Sequence, residues 1–188
     1  MKDDLARILI PADTIRERIA EVAAEVLASW DGEREITLVP IMTGGLIFAA
    51  DLMRHLPRHM QIHLMSVSSY PGTATTSRGA RIDDGRSGVP GDLSGHHVLV
   101  VDDILDSGGT LRAVKAELEA RRADVVRTCV LLRKQRPEAL AFHCDHVAFD
   151  VPDEFVVGYG LDYDGYYRNL PDIAILKPDV FGGNGTNA

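Results

Sequence analysis

Three carboxylates and four small residues that could bind a phosphorylated sugar stand in one short stretch: Asp102, Asp103, Asp106, Ser107, Gly108, Gly109 and Thr110. They follow the apolar run Val98-Leu99-Val100-Val101, and a run bounded by such a turn reads as a buried strand feeding a loop. Off the carboxyl end of a strand, the first N–H groups of the next helix are free to hold a phosphate. Ser107 to Thr110 would supply a nest of N–H donors and two hydroxyls. Two adjacent carboxylates at a strand end suit sugar hydroxyls or a divalent cation held through oxygen. The plainer reading is a pair of solvated turn aspartates, but beside a phosphate-shaped loop binding is preferred.

Other chemistries are excluded or disfavoured. The nucleoside triphosphate loop G-x-x-x-x-G-K followed by Ser or Thr is absent, as is the dinucleotide fingerprint G-x-G-x-x-G. His143-Cys144-Asp145-His146 carries ligand chemistry, yet neighbours on a strand-like run alternate faces and do not converge on one ion. His55 and His59 have helical spacing interrupted by Pro57, and are expected at the surface. A formal net charge of −8 opposes nucleic-acid binding in the absence of a basic run. Arg121 and Arg122 fall at the expected end of a helix, where cations suit the dipole. With only Cys129, in an apolar run, and Cys144, a disulfide framework is not implied, and a reduced, cytoplasmic protein is expected. No signal peptide is expected, and no run approaches the roughly 20 apolar residues of a membrane span.

The elements that must position these residues alternate. Thr14 with Glu17 suggests a capping box opening a helix with Ile15, Ile19, Val22 and Val26 on one face, ended by Asp31-Gly32. Ile36 to Ile41 reads as a strand despite Pro40, and Met42-Thr43-Gly44-Gly45 leads from it into a helix over Leu46 to Met53. Glycines there would admit an anion closely, although tight turns need glycine for steric reasons alone. Gln61 to Val67 is a further strand. Residues 68–95 are poor in apolar periodicity and longer than the roughly 12–15 residues of a plain connection, which suggests a flexible lid or an ordinary insertion. After the acidic stretch, Leu111, Val114 and Leu118 carry a helix to about Arg122, and strands follow at Val125–Leu132, His146–Phe149 and Ile173–Leu176. This alternation predicts βαβ units, hence an α/β fold with a mainly parallel sheet flanked by helices. The 45% hydrophobic and 26% charged composition is that of a folded domain, expected over 1–180 with a flexible tail at 181–188.

Val98 to Thr110 closely resembles the phosphoribosyl-pyrophosphate-binding motif of type I phosphoribosyltransferases: an apolar strand, two acids, two apolar residues, Asp, then Ser/Thr-Gly-x-Thr. The resemblance runs from about Ile8 to Leu176 and narrows to the 6-oxopurine, hypoxanthine-guanine branch. Four features carry that narrowing: the glycine turn before an FAADL-like helix, Ser69-Tyr70 opening the long loop, Leu131-Leu132-Arg133-Lys134, and Pro152-Asp153-Glu154-Phe155-Val156-Val157-Gly158-Tyr159-Gly160-Leu161-Asp162-Tyr163. The last is the most specific. The family implies the type I phosphoribosyltransferase fold, a twisted sheet with a small hood built from the chain ends and the region from Phe149 onward. It also implies a purine-salvage, Mg²⁺-dependent transferase joining hypoxanthine or guanine, through N9, to phosphoribosyl pyrophosphate. The products would be IMP or GMP and pyrophosphate, and relatives assemble as dimers or tetramers.

The roles implied by the resemblance fall residue by residue. The backbone from Asp106 to Thr110 would hold the 5′-phosphate, Asp102 and Asp103 would face the ribose hydroxyls, and Ile104 and Leu105 complete that binding segment. Asp106 would act at purine N7 as general acid or base, and Lys134 would donate to O6. Phe155 would stack on the purine, although an aromatic in such a run otherwise reads as core. The Val156 backbone would read the N1/C2 edge. Asp162 would coordinate Mg²⁺; Arg168 and the backbone of Met42, Thr43 and Gly44 would hold pyrophosphate; Ser69 and Tyr70 would close over it. Three positions depart from the family pattern. Thr43 replaces a common lysine and Gly109 a common basic residue, so both phosphates would rest more on backbone N–H groups; Asp102 replaces the usual glutamate, with a shorter reach to the ribose. Two rival readings are a nucleotide-sensing, RNA-binding regulator of the same fold, which the acidic balance opposes, and a silent assembly subunit, which Asp106, Lys134 and Asp162 together oppose.

Overall fold

Strand β6 (His97–Leu105) is buried along almost its whole length, as expected of a parallel strand covered on both faces. The computed structural model describes residues 1–30, 32–68, 81–82 and 87–181. Around β6 stand β2 (Ile36–Met42) and β7 (Val125–Lys134), both parallel to it, with β8 (His146–Val151) parallel to β7 beyond. On the other side β2 is flanked by β3 (Met60–Ile62) and β4 (Met65–Ser68), and β5 (Arg81–Ile82) pairs antiparallel with β4. The expected strand at 61–67 is thus two strands. Pro40 sits beside the interruption between them, since Leu38 pairs with Ile62 and Ile41 with Met65, a place where a residue without an N–H is tolerated.

Side-chain alternation along β6 sorts the core into two layers. Leu99 and Val101 face α1 (Ala12–Ser29) and α2 (Gly45–Met53), packing with Ile15, Ile19, Val22, Phe48 and Leu52. Val98 and Val100 face α3 (Gly109–Ala120), packing with Leu111, Val114 and Leu118. The short helix α4 (Pro137–Leu140) closes the second layer through Ala139. Val89 and Leu93 are also buried in that layer, so the far end of the expected 68–95 loop is fixed to the sheet; residues 69–80 and 83–86 lie outside the described residues. The tail at 182–188 lies outside them as well.

The hood is a separate antiparallel sheet, β1 (Leu5–Ile10), β10 (Ile173–Leu176) and β9 (Val156–Val157), with α5 (Pro178–Phe181) after it. It starts later than expected: Phe149 remains in the main sheet, paired with Leu132. The N-terminal strand β1 escaped the sequence pattern, because three of its six residues point into solvent and no alternation marks it. The expected capping box does not form. Helix α1 starts at Ala12 after Pro11, and the carboxylate of Asp172 in the hood accepts the Ala12 N–H at 2.8 Å. A second tie runs from Tyr159 Oη to Asp51 Oδ2 of α2, at 2.5 Å. The histidines of the 143–146 run separate: His143 is exposed, whereas His146 is buried against Ser29 Oγ at 3.2 Å, and desolvation lowers its pKa.

Phe48 is fully buried between α2 and the sheet. Phe48→Ala is therefore expected to cost about 3–5 kcal/mol, read as a lower urea midpoint at unchanged slope.

Candidate active site

The site is built where β2 and β6 end side by side. Asp102 retains only 6% of its surface, and its Oδ1 accepts the N–H of Asp103 at 3.0 Å. Loss of hydration raises the Asp102 pKa well above the ordinary carboxylate value, and the neighbouring Asp103 charge adds to the rise. Asp103 is also raised by burial, against hydrogen bonds and the Arg168 guanidinium that favour its charged form. The glycine turn after β2 fits against this pair. A side chain at Gly44 would begin 1.7 Å from Asp103 Oδ2, and one at Gly160 would begin 2.4 Å from Gly44 O. A side chain at 44 would thus displace the Asp103 carboxylate, and one at Gly45 would begin 2.8 Å from the backbone oxygen of Val101, a close approach of main chain that calls for glycine. The Met42–Thr43 peptide is cis.

Beyond the acids, Gly108 takes the left-handed conformation at φ 76° and caps α3. The segment Asp106 to Leu111 lines a cleft of about 510 Å³, opposite Met42, Thr43 and Gly44, with Asp162 and Arg168 on its wall. Ser107 Oγ receives a long bond from the Gly109 N–H, 3.4 Å, and the first amides of α3, which have no partner within the helix, belong to residues that line the cleft. Ile104 and Leu105 enter the lining while Leu105 is buried and Ile104 packs on the opposite core layer, so these two anchor the segment. A cation that the sequence reading missed stands one turn into the helix: Arg112 donates to Ser107 O at 2.5 Å. Its helical offset from the loop was the available signal.

A second cavity, about 180 Å³, shares Asp103, Ile104, Asp106 and Asp162 with the first and adds Lys134, Phe155, Val156 and Leu161. Lys134 is the last residue of β7, two past the expected end of that strand, and its side chain is 13% exposed. Its Nζ lies 3.2 Å from Asp153 and 3.7 Å from Asp106. Phe155 is 37% exposed and meets Tyr163 edge-on at 5.5 Å, so it is a wall of the cavity and not core. Val156 is buried and contributes through β9. Arg168 bonds Asp162 Oδ1 and Gly160 O, each at 2.7 Å, and Gly165 N–H bonds Asp162 Oδ2 at 2.8 Å. Arg136 and Asp153 also reach this site, and sequence reasoning assigned neither a role. The charged run after β7 held the signal, without saying which cation would turn inward. Ser69 and Tyr70 lie outside the described residues.

The carboxylates of Asp102, Asp103 and Asp162 are hard oxygen donors of the kind Mg²⁺ takes. Among the described residues no group of three or more candidate ligands converges into a cage. That fits an ion held by one or two carboxylates together with substrate oxygens.

Stability should report the buried pair. With the Asp102 pKa raised above 3.8, the folded chain binds more protons than the unfolded chain between 3.8 and the raised value, and stability falls as pH rises through that window. The penalty is complete above the raised value and absent below 3.8. Asp102→Asn, which keeps an acceptor for the Asp103 N–H, is expected to melt higher than the parent near neutral pH, with the gain vanishing on acidification. Thermal scans across pH check this; a gain independent of pH would assign it to packing.

The geometry has counterparts. A phosphoribosyl transferase domain model matches residues 11–164. The hypoxanthine-guanine phosphoribosyltransferase of Streptococcus pneumoniae is 36% identical over 181 residues, spanning 96% of this chain and 98% of its own. That of Mycobacterium avium is 38% identical, spanning 95% and 89%. A hypoxanthine phosphoribosyltransferase structure from Staphylococcus aureus superposes with a TM-score of 0.86 at 35% identity over 96% of each chain. The chain belongs to the phosphoribosyltransferase family, in its hypoxanthine-guanine branch.

Proposed function

We propose that the chain transfers the phosphoribosyl group of phosphoribosyl pyrophosphate to N9 of hypoxanthine or guanine, giving IMP or GMP and pyrophosphate. The observation that carries this reading is the meeting of two cavities at Asp103, Asp106 and Asp162: a cleft lined by a helix N-terminus, and a smaller pocket where those carboxylates are joined by one ammonium, Lys134, and one aromatic ring, Phe155. The bond from ribose C1 to pyrophosphate oxygen breaks as the bond from C1 to N9 forms, and positive charge grows on the ribose between them.

The cleft takes the sugar and its phosphates. Amides from Asp106 to Thr110 receive the 5′-phosphate, and Asp102 and Asp103 accept from the ribose hydroxyls. Thr43, Gly44 and Arg168 face the pyrophosphate. Asp162 would hold Mg²⁺, which when bound would offset charge on the leaving pyrophosphate. The Arg168 guanidinium now on Asp162 turns to the pyrophosphate as that site fills. Ser69 and Tyr70 belong to the segment that would shield the ribose from water.

The pocket takes the base. Asp106 accepts from N7–H and holds that proton as N9 bonds to C1. Lys134 donates to O6, a charge-assisted bond contributing about 1.5–3 kcal/mol. Adenine presents an amino donor there and leaves the ammonium without an acceptor, so it is rejected. Phe155 stacks on the ring, and the Val156 backbone meets the N1/C2 edge. Residues 1–180 act as one phosphoribosyltransferase domain in a reduced cytoplasm, as a dimer or tetramer. No helix among the described residues is long and apolar enough to cross a membrane.

Hypoxanthine, guanine, xanthine, adenine and uracil offered separately with phosphoribosyl pyrophosphate and Mg²⁺ should release pyrophosphate with hypoxanthine or guanine and not with adenine. Reaction with uracil alone would overturn the role of Lys134, and no reaction would overturn the transfer itself. Asp106→Asn is expected to lower kcat by about 10²–10⁴ while IMP binding, measured by calorimetry, changes little. Equal losses in both would make Asp106 a binding group only.

A further inference from the structure

The two groups that read the purine are oppositely charged and form a long ion pair, yet no hydrogen bond joins them. Asp106 Oδ2 and Lys134 Nζ stand 3.7 Å apart, beyond hydrogen-bond distance. Each is held by another partner. Arg136 Nη1 donates to Asp106 Oδ1 at 2.6 Å, and Asp153 Oδ1 stands 3.2 Å from Lys134 Nζ. Arg136 also lies 3.9 Å from Asp153 and 3.4 Å from Glu138, which completes a ring of alternating charges. The asymmetry at Asp106 matters: the guanidinium occupies Oδ1 and leaves Oδ2 on the side of Lys134. Arg136 and Asp153 do not line the base pocket, so they work from behind it.

We propose that Arg136, with Asp153, is a positioning residue that keeps Asp106 and Lys134 from closing on each other, so that the empty pocket presents to the purine one acceptor and one donor that are not hydrogen-bonded to each other. Without Arg136, the strongest partner left to Asp106 is the Lys134 ammonium, and a direct pair between them would fill the space that N7 and O6 need. Binding would then have to break that pair. The purine site would weaken, while the phosphate cleft, which Arg136 does not line and meets through the Asp106 side chain alone, would keep its backbone donors.

The inference rests on the transfer reading above, and its test separates the two. The side chain of Arg136 is partly exposed, so Arg136→Met should fold, with its melting temperature as the control. In a crystal of the ligand-free variant, Lys134 Nζ is expected within hydrogen-bond distance of Asp106; a pair still held apart overturns the proposal, whatever the enzyme's activity. In steady-state assays of the variant, KM for hypoxanthine should rise by about tenfold or more, with KM for phosphoribosyl pyrophosphate within about twofold of the parent. Arg136→Lys, which restores a cation to Asp106, should recover most of the loss. An unchanged purine KM, or equal losses for both substrates, counts against the proposal. A parent enzyme that turns over neither hypoxanthine nor guanine counts against the transfer reading alone, and the crystal comparison then decides the role of Arg136.

Discussion

Two neighbouring carboxylates at the end of a central strand lose most of their hydration, and the surrounding chain is arranged around that cost. Asp102 is buried by β2 and β7 on either side, and Asp103 presses on the backbone of Gly44. A buried carboxylate with no cation of its own is strained toward its protonated form, as the raised pKa of Asp102 records. In the proposed function, ribose hydroxyls and a divalent cation would be the ligands that relieve such a site.

The same constraint explains the hood. Gly160 must approach Gly44 O, and the chain from Gly158 to Asp162 is turned so that Arg168 can reach both Gly160 O and Asp162. Tyr159 at φ 50° sends its hydroxyl to Asp51 of α2, and Asp172 caps α1. Small antiparallel sheets have little core of their own. This one is held to the main sheet by a few polar ties and by Val156 and Ile173 in the shared core. The smaller cavity lies along that seam, so its shape depends on both sheets.

Charge divides along the site by physical type. Backbone of the turn before α3 lines one end of the larger cleft, and carboxylates line its junction with the smaller cavity, where Lys134 adds a cation and Arg136 and Asp153 pair from outside the lining. Arg112 near the phosphate loop adds a positive charge where Gly109 supplies none.

Local order along the chain was enough to determine the strands β2 and β6, most of β7, the helices α2 and α3, and the small-residue turn before α3. Each depends on hydrophobic period or on small residues at adjacent positions. The family motif placed Asp106, Lys134 and Asp162 in one site. What local order could not determine were contacts between distant segments: the cap of α1 by Asp172, the strand β1, the break between β3 and β4, and the later start of the hood. The run Arg133 to Arg136 shows the reason most clearly. Register pairs Arg133 with Asp150 across β8, where their side chains bond at 2.6 Å, and leaves Arg136, past the strand end, to turn toward Asp106. The sequence by itself determined which charges were present. Strand register, fixed by packing on both faces of the sheet, decided which of them meet.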